Sequence, residues 1–236
     1  VLLEFKNISV SAGNQKLFDL HDLVLEKGVI ALVGRNGSGK STFIKTLLAE
    51  HKNYSGKIVL DGKEISAYNA AEKSKLIAVV FSKVEIFGNH SVREVLMLGR
   101  LPHMNMFSIP STEDELLADK TAEQLRIVDL LNKSFGVLSD GEKQLVMIGR
   151  ALMQNTPLVL LDEPAAYLDI VNRYELSLLL KRIADETGKL IICSTHQMER
   201  LEHDTDGMLI IADQKMTFYS DQSMFKKVVH QSFGIV

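Results

Sequence analysis

The chain has 236 residues, 46% of them apolar, with 27 basic and 30 acidic side chains and a formal net charge of −3. That is enough for one large α/β domain carrying an insertion, and the apolar share suits a packed core. The near-balance of charge weighs against a protein whose main work is neutralising nucleic-acid phosphates, the single cysteine excludes an internal disulfide or a thiolate metal cage, and no apolar run reaches the roughly 18 residues needed to cross a bilayer.

Residues 2–10 alternate imperfectly and residues 16–25 form a second apolar-biased segment, with a turn at Ala12, Gly13 and Asn14 between them; two paired strands are predicted. After Gly28, the run Val29, Ile30, Ala31, Leu32 and Val33 predicts a strand buried on both faces. A glycine-rich loop follows at once, and residues 41–48 predict the helix behind it. Ile58, Val59 and Leu60 lead into the hairpin signal Asp61-Gly62, and residues 77–81 predict another strand. The pattern then turns helical over residues 91–98 and 114–131, with a loop over 102–110 between them. A helical subdomain of residues 85–132 is therefore expected, inserted into an α/β core of residues 1–84 and 133–236. Residues 141–153 predict an amphipathic helix, and Leu158, Val159, Leu160 and Leu161 a buried strand ending in Asp162-Glu163. Residues 171–186 predict a helix stopped by Gly188. Residues 190–193, with Cys193 as a small core hydrophobe, and residues 208–212 predict two more strands. The stretch 225–236 is expected to be a closing helix or a tail.

The loop Gly34-Arg35-Asn36-Gly37-Ser38-Gly39-Lys40-Ser41-Thr42 matches the phosphate-binding pattern G-x-x-x-x-G-K-S/T, and it lies between a predicted strand and a predicted helix as that pattern requires. Its glycines let successive amides approach phosphate oxygens, and the start of the helix adds unpaired amides and a favourable dipole. Lys40 supplies a mobile charge for the β and γ phosphates, and Ser41 a hydroxyl for Mg²⁺. Asp162, at the carboxyl end of a buried strand, can hold the same ion through its waters. Glu163 beside it can orient the attacking water or take its proton. His196, after the strand over 190–193, is a candidate contact to the γ phosphate. The fold expected is a P-loop NTPase α/β core with a mainly parallel sheet and helices on both faces, an N-terminal antiparallel β subdomain and the inserted helical subdomain.

These residues resemble the nucleotide-binding subunit of ATP-binding cassette transporters, over essentially the whole chain. Leu138-Ser139-Asp140-Gly141-Glu142 is similar to the family's Leu-Ser-Gly-Gly-Glu/Gln signature, Ala166-Tyr167-Leu168-Asp169 to its dimer-contact loop, and Ser194-Thr195-His196 to its switch-histidine segment. The resemblance implies an ATPase that uses ATP and Mg²⁺, with two copies packed head to tail around two nucleotides. Ser139, Gly141 and Glu142 of one copy would then face the phosphates held by Lys40 of the other, and Asp169 would link the two sites. Val92-Arg93-Glu94-Val95-Leu96 followed by Gly99-Arg100-Leu101-Pro102-His103 is similar to the importer ATPases for iron-siderophores, haem and vitamin B12. That subclass implies a peripheral protein on the cytoplasmic face of the inner or plasma membrane, docked on permease subunits through the helical subdomain and served indirectly by a substrate-binding protein. No nucleic-acid partner is expected.

Three positions depart from the family pattern. Ser82 stands where a glutamine usually completes the Mg²⁺ shell. Ala12 stands about where an aromatic usually stacks on adenine, which leaves Phe18, or a loosely held base, as alternatives. Asp140 replaces the first glycine of the signature pair and is expected to face away from phosphate. A soluble ATPase of the same fold and a regulator with weakened catalysis remain as other readings; retained Lys40, Asp162, Glu163 and His196 count against the second.

Overall fold

The computed structural model describes residues 1–83, 89–104, 110–195 and 201–234. Strand β1 (Leu3–Ala12) pairs antiparallel with β2 (Gln15–Leu20) and then with β3 (Leu23–Leu25). The single apolar segment predicted over 16–25 is thus two strands. Its division coincides with Asn7, which sits at a φ of 47° and donates its amide to Asp22 Oδ1 at 3.0 Å, so a side chain replaces a ladder partner there.

Strand β4 (Gly28–Gly34) is buried at every residue and leads into α1 (Lys40–Leu47). Strands β5 (Tyr54–Leu60) and β6 (Lys63–Glu64) form a hairpin over Asp61 and Gly62, both at positive φ as a two-residue turn of this kind demands. Helix α2 (Ala70–Leu76) then precedes β7 (Ile77–Val80). The helical insertion contains α3 (Val92–Met97), which continues as a 3-10 turn over Leu98–His103, and α4 (Thr112–Gln124). The helix predicted over 114–131 ends early because Arg126 adopts a φ of 56°, after which a 3-10 turn carries Val128–Leu130. Chain enters and leaves this region side by side: the Val92 amide donates to Lys133 O at 3.0 Å and the Phe135 amide to His90 O at 2.8 Å.

Helix α5 (Asp140–Met153), strand β8 (Leu158–Asp162), helix α6 (Ile170–Thr187), strand β9 (Leu190–Ser194), helix α7 (Leu201–Asp204), strands β10 (Gly207–Ala212) and β11 (Lys215–Tyr219), and helix α8 (Phe225–Phe233) complete the fold. Gly188 and Gly234 end α6 and α8 in the left-handed conformation that favours glycine. The last stretch of chain therefore begins with a helix.

Among the described residues, eleven strands make one sheet in the order β6-β5-β1-β2-β11-β10-β4-β9-β8-β7, with β3 also on β1. Strands β10, β4, β9, β8 and β7 run parallel to one another, while β11 is antiparallel to β10. Alternate residues of β4 show how both faces are covered. Ile30 and Leu32 pack with Phe43, Ile44 and Leu47 of α1, in a cluster that also takes in the antiparallel strands. Val29 joins the cluster of α3 to α6, and Ala31 and Val33 that of α8. Burying side chains on both faces at about 25 cal/mol per Å² of apolar area is what fixes this central strand, and with it the loop that follows.

Candidate functional site

The glycine-rich loop leaves the carboxyl end of β4. Gly37 and Gly39 take φ of 77° and 109°, a region that strains any L side chain. Gly34 is required for a different reason: a Cβ there would stand 2.4 Å from Ser38 Oγ. The Ser38 hydroxyl is buried with no hydrogen-bond partner among the described residues, while its amide donates to Arg35 O at 3.1 Å. Gly39 is also the N-cap of α1; it makes no side-chain cap, and the first turn carries no acid. The leading amides of α1 and its positive dipole end are therefore offered to the loop. Asn36 and Ser41 are exposed and Thr42 is half-buried.

Lys40 is only 6% exposed and donates from Nζ to Gly34 O at 2.9 Å and Arg35 O at 3.4 Å. Burial pushes its pKa down, and the carboxylates of Glu163 and Asp162 pull it back up. Those carboxylates arrive because β8 and β9 are parallel and in register, placing Asp162 opposite Ser194. Ser194 Oγ donates to Asp162 Oδ1 at 2.7 Å and accepts the Glu163 amide at 2.8 Å. One hydroxyl thus orients the buried carboxylate and pins the next peptide, at which Glu163 holds a φ of 52°. A non-glycine residue there costs of order 1–3 kcal/mol, a strain retained only where surroundings enforce it. Beside Asp162, Cys193 is half-buried against the edge of the core, and burial of its thiol raises the pKa to about 12, so that it stays protonated.

The donors that could hold Mg²⁺ are all hard oxygens: the Ser41 hydroxyl and the Asp162 carboxylate, one of whose oxygens is engaged by Ser194. Among the described residues no three His, Cys, Asp or Glu converge. Magnesium, which keeps several waters and takes one or two carboxylates plus phosphate, fits this set; a thiophilic or imidazole-seeking metal does not. Ser82 follows β7 and is half-buried.

Ser139, Gly141 and Glu142 form a second group at the start of α5. Ser139 Oγ donates to Glu142 Oε2 at 2.7 Å and accepts the Glu142 amide at 3.3 Å, and the Ser139 amide donates to the same carboxylate at 2.8 Å. This is a reciprocal helix cap, so within the single chain these two residues serve each other. Gly141 has a neighbour too close for a side chain: its Cβ would stand 2.9 Å from Tyr167 O. Asp140 points to solvent, 74% exposed and 3.8 Å from Lys143. Asp169 caps α6 by accepting the Asn172 amide at 2.8 Å.

His196 lies outside the described residues. Ala12 is exposed at the end of β1. Phe18, offered as a replacement for the missing aromatic, is fully buried, packed edge-on against Phe43 with ring centroids 6.0 Å apart; it is a core residue and cannot stack on a base. Two features escaped sequence reasoning. Ser194 was visible only as part of a turn, because its role depends on the register of two parallel strands. Arg35, whose Nη2 donates to Phe233 O at 2.8 Å, reaches across 198 positions and left no local signal.

Residues 18–166 match the model of the ABC transporter family. The chain is 32% identical to an ABC transporter ATP-binding protein of Methanocaldococcus jannaschii, over 99% of this chain and 82% of that one. It is 30% identical to the iron(3+)-hydroxamate import ATP-binding protein FhuC of Bacillus subtilis, over 83% and 73%, and 31% identical to the petrobactin import ATP-binding protein FpuC of Bacillus anthracis, over 88% and 77%. Among solved structures it superposes with a TM-score of 0.83 on one described as a metal-chelate type ABC transporter in an inward-facing conformation, at 26% identity and covering 98% of this chain and 88% of that one. An ATP-binding cassette solved in its ADP conformation shares the fold, with a TM-score of 0.83 at 23% identity and covering 99% and 97%.

Proposed function

Since the chain belongs to the ABC transporter family, we propose that it is the ATP-binding and ATP-hydrolysing subunit of a membrane importer, for cargo of the iron-siderophore, haem or cobalamin type. The observation that carries the hydrolytic reading is the convergence of Lys40, Asp162 and Glu163 around one end of three adjacent parallel strands, with Ser194 bonded to the Asp162 carboxylate and to the Glu163 backbone amide. Relatives named for importing iron chelates support the cargo class.

In this reading the amides of residues 36–42 and the Lys40 ammonium hold the triphosphate. Ser41 and Asp162 hold Mg²⁺, with Ser82 contributing through water; bound there, the ion neutralises phosphate charge. Glu163 accepts a proton from the attacking water, and His196 contacts the γ phosphate. Ser139, Gly141 and Glu142 of a second copy close over the nucleotide, a helix N-terminus suited to an anion, and Asp169 joins the two sites. The nucleotide-binding core comprises residues 1–84 and 133–236. Residues 85–132 form the helical subdomain that receives the permease at the cytoplasmic face of the membrane, and a substrate-binding protein feeds the complex from the other side.

Steady-state phosphate release at saturating Mg-ATP tests the proposal. Glu163→Gln is expected to lose about 10²–10⁴-fold in turnover and to accumulate as an ATP-bound dimer in size-exclusion chromatography. Turnover equal to the unsubstituted protein would remove Glu163 from the mechanism.

A further inference from the structure

Helix α5 carries a buried polar group with nothing to bond to. Gln144 is 0% exposed, and among the described residues neither its Nε2 nor its Oε1 has a hydrogen-bond partner. Burying a carboxamide unpaired is unfavourable, and a straight-chain apolar residue of the same length would fill the space without that penalty. Glutamine at this position therefore has a use outside the packing.

Its place on the helix indicates what that use is. Gly141 and Gln144 stand three positions apart and share one face of α5. A long helical side chain leans back over the preceding turn, which carries the Gln144 carboxamide towards Gly141. That face rests on the loop between β8 and α6: a Cβ at Gly141 would lie 2.9 Å from Tyr167 O and 3.6 Å from Leu168 Cδ2. The loop joins Glu163, just past β8, to Asp169, the cap of α6. Among the described residues its hydrogen bonds are short-range. Ala166 donates its amide to Glu163 O at 3.1 Å, Leu168 donates its amide to Ala165 O at 3.3 Å, and Leu168 O accepts from Arg173 Nε at 2.6 Å. None of these bonds ties the loop to α5. A glutamine amide both donates and accepts, so it can take a backbone carbonyl and a backbone N–H of the loop at once.

We propose that Gln144 is a positioning residue for Glu163. At rest its carboxamide is unpaired; as the loop advances on α5 during turnover, the carboxamide clasps the backbone of residues 164–168 and sets Glu163 and Asp169 together. The unpaired amide raises the resting arrangement in free energy and so favours the working one. The inference rests on the reading of Glu163 as the group that activates water, and adds the element that places it.

Gln144→Met keeps length and bulk and removes both polar atoms. The whole chain is expected to melt about 2–4 °C higher without nucleotide. Phosphate release at saturating Mg-ATP is expected to fall about ten-fold, with KM within about two-fold. A variant that melts lower, or fails to fold, would show that the carboxamide already serves the resting chain; one that melts higher with unchanged kcat would show that it plays no part in turnover. Either result overturns the proposal. Combining Gln144→Met with Glu163→Gln separates positioning from a general loosening. If Gln144 acts through Glu163, its substitution leaves the residual single-turnover rate of Glu163→Gln within about two-fold, whereas a further ten-fold drop overturns the inference. Glu163→Gln alone checks the underlying reading. Normal turnover in that variant removes the assignment of Glu163 and the Gln144 inference with it; loss of turnover there beside an unimpaired Gln144→Met removes the Gln144 inference only.

Discussion

Removing the Ser194 hydroxyl should damage stability and chemistry together. Ser194 is fully buried, and Ser194→Ala deletes the donor to Asp162 Oδ1 at 2.7 Å and the acceptor of the Glu163 amide at 2.8 Å. A hydrogen bond to a charged partner contributes about 1.5–3 kcal/mol, and an orphaned buried N–H costs about 1–3 kcal/mol. A water entering the gap recovers part of this, so a net loss of about 3 kcal/mol is expected, equivalent to roughly 6–12 °C in melting temperature for a chain of this size. The urea midpoint should fall with an unchanged slope, since no more surface is exposed on unfolding. Because Glu163 holds its positive φ beside this bond, its carboxylate should also lose its fixed position. Phosphate release under conditions where the variant remains folded should drop about 10- to 100-fold. A stability loss below about 0.5 kcal/mol together with normal turnover would refute the view that one hydroxyl orders the Asp162 carboxylate and the Glu163 peptide.

Gly99→Ala should cost about 2–4 kcal/mol, because the new Cβ would lie 2.1 Å from Arg150 O and 2.8 Å from Met153 Cβ, where α5 backs the insertion; a urea midpoint matching the parent would disprove that contact. Acid should destabilise the chain through its helix caps. Glu72, Glu94, Asp114 and Glu142 each accept the amide of their cap residue, which holds their pKa values below the ordinary carboxylate range. Groups depressed in the folded state contribute fully above their unfolded values of about 3.9–4.3 and lose that contribution as pH falls through the folded ones. Denaturation midpoints should therefore decline below about pH 4.5, and Glu142→Gln should make the decline shallower; an identical slope in that variant would exclude Glu142 from the effect.

How much the sequence disclosed follows from where the physics is local. The phosphate loop, the strand before it and the cap at Gly188 were legible because glycine conformation and apolar runs leave their mark within a few residues. Helix α2 was not, since it buries none of its residues and so carries no apolar stripe. Strand β11 buries only Met216 and gave equally little signal. The ranges 16–25 and 114–131 each read as one element because Asn7 and Arg126, not glycines, adopt the positive φ associated with the breaks. In the site, the residue types at Lys40, Asp162 and Glu163 could be read directly. What orders them, the β8–β9 register that delivers Ser194, belongs to the assembled sheet and has no counterpart in any short stretch of chain.

Helix α1 lies in one apolar cluster with the antiparallel strands, whereas the inserted helices lie in another with α5 and α6, and the two clusters share only the sheet between them. This arrangement has an evolutionary consequence. Core substitutions that reshape the inserted helices need not be compensated around Phe43 and Ile44, so the surface of the insertion can drift towards a new partner while the phosphate loop stays as it is. Inheritance of one chemistry and turnover of attachments become separable, because the packing has already separated them.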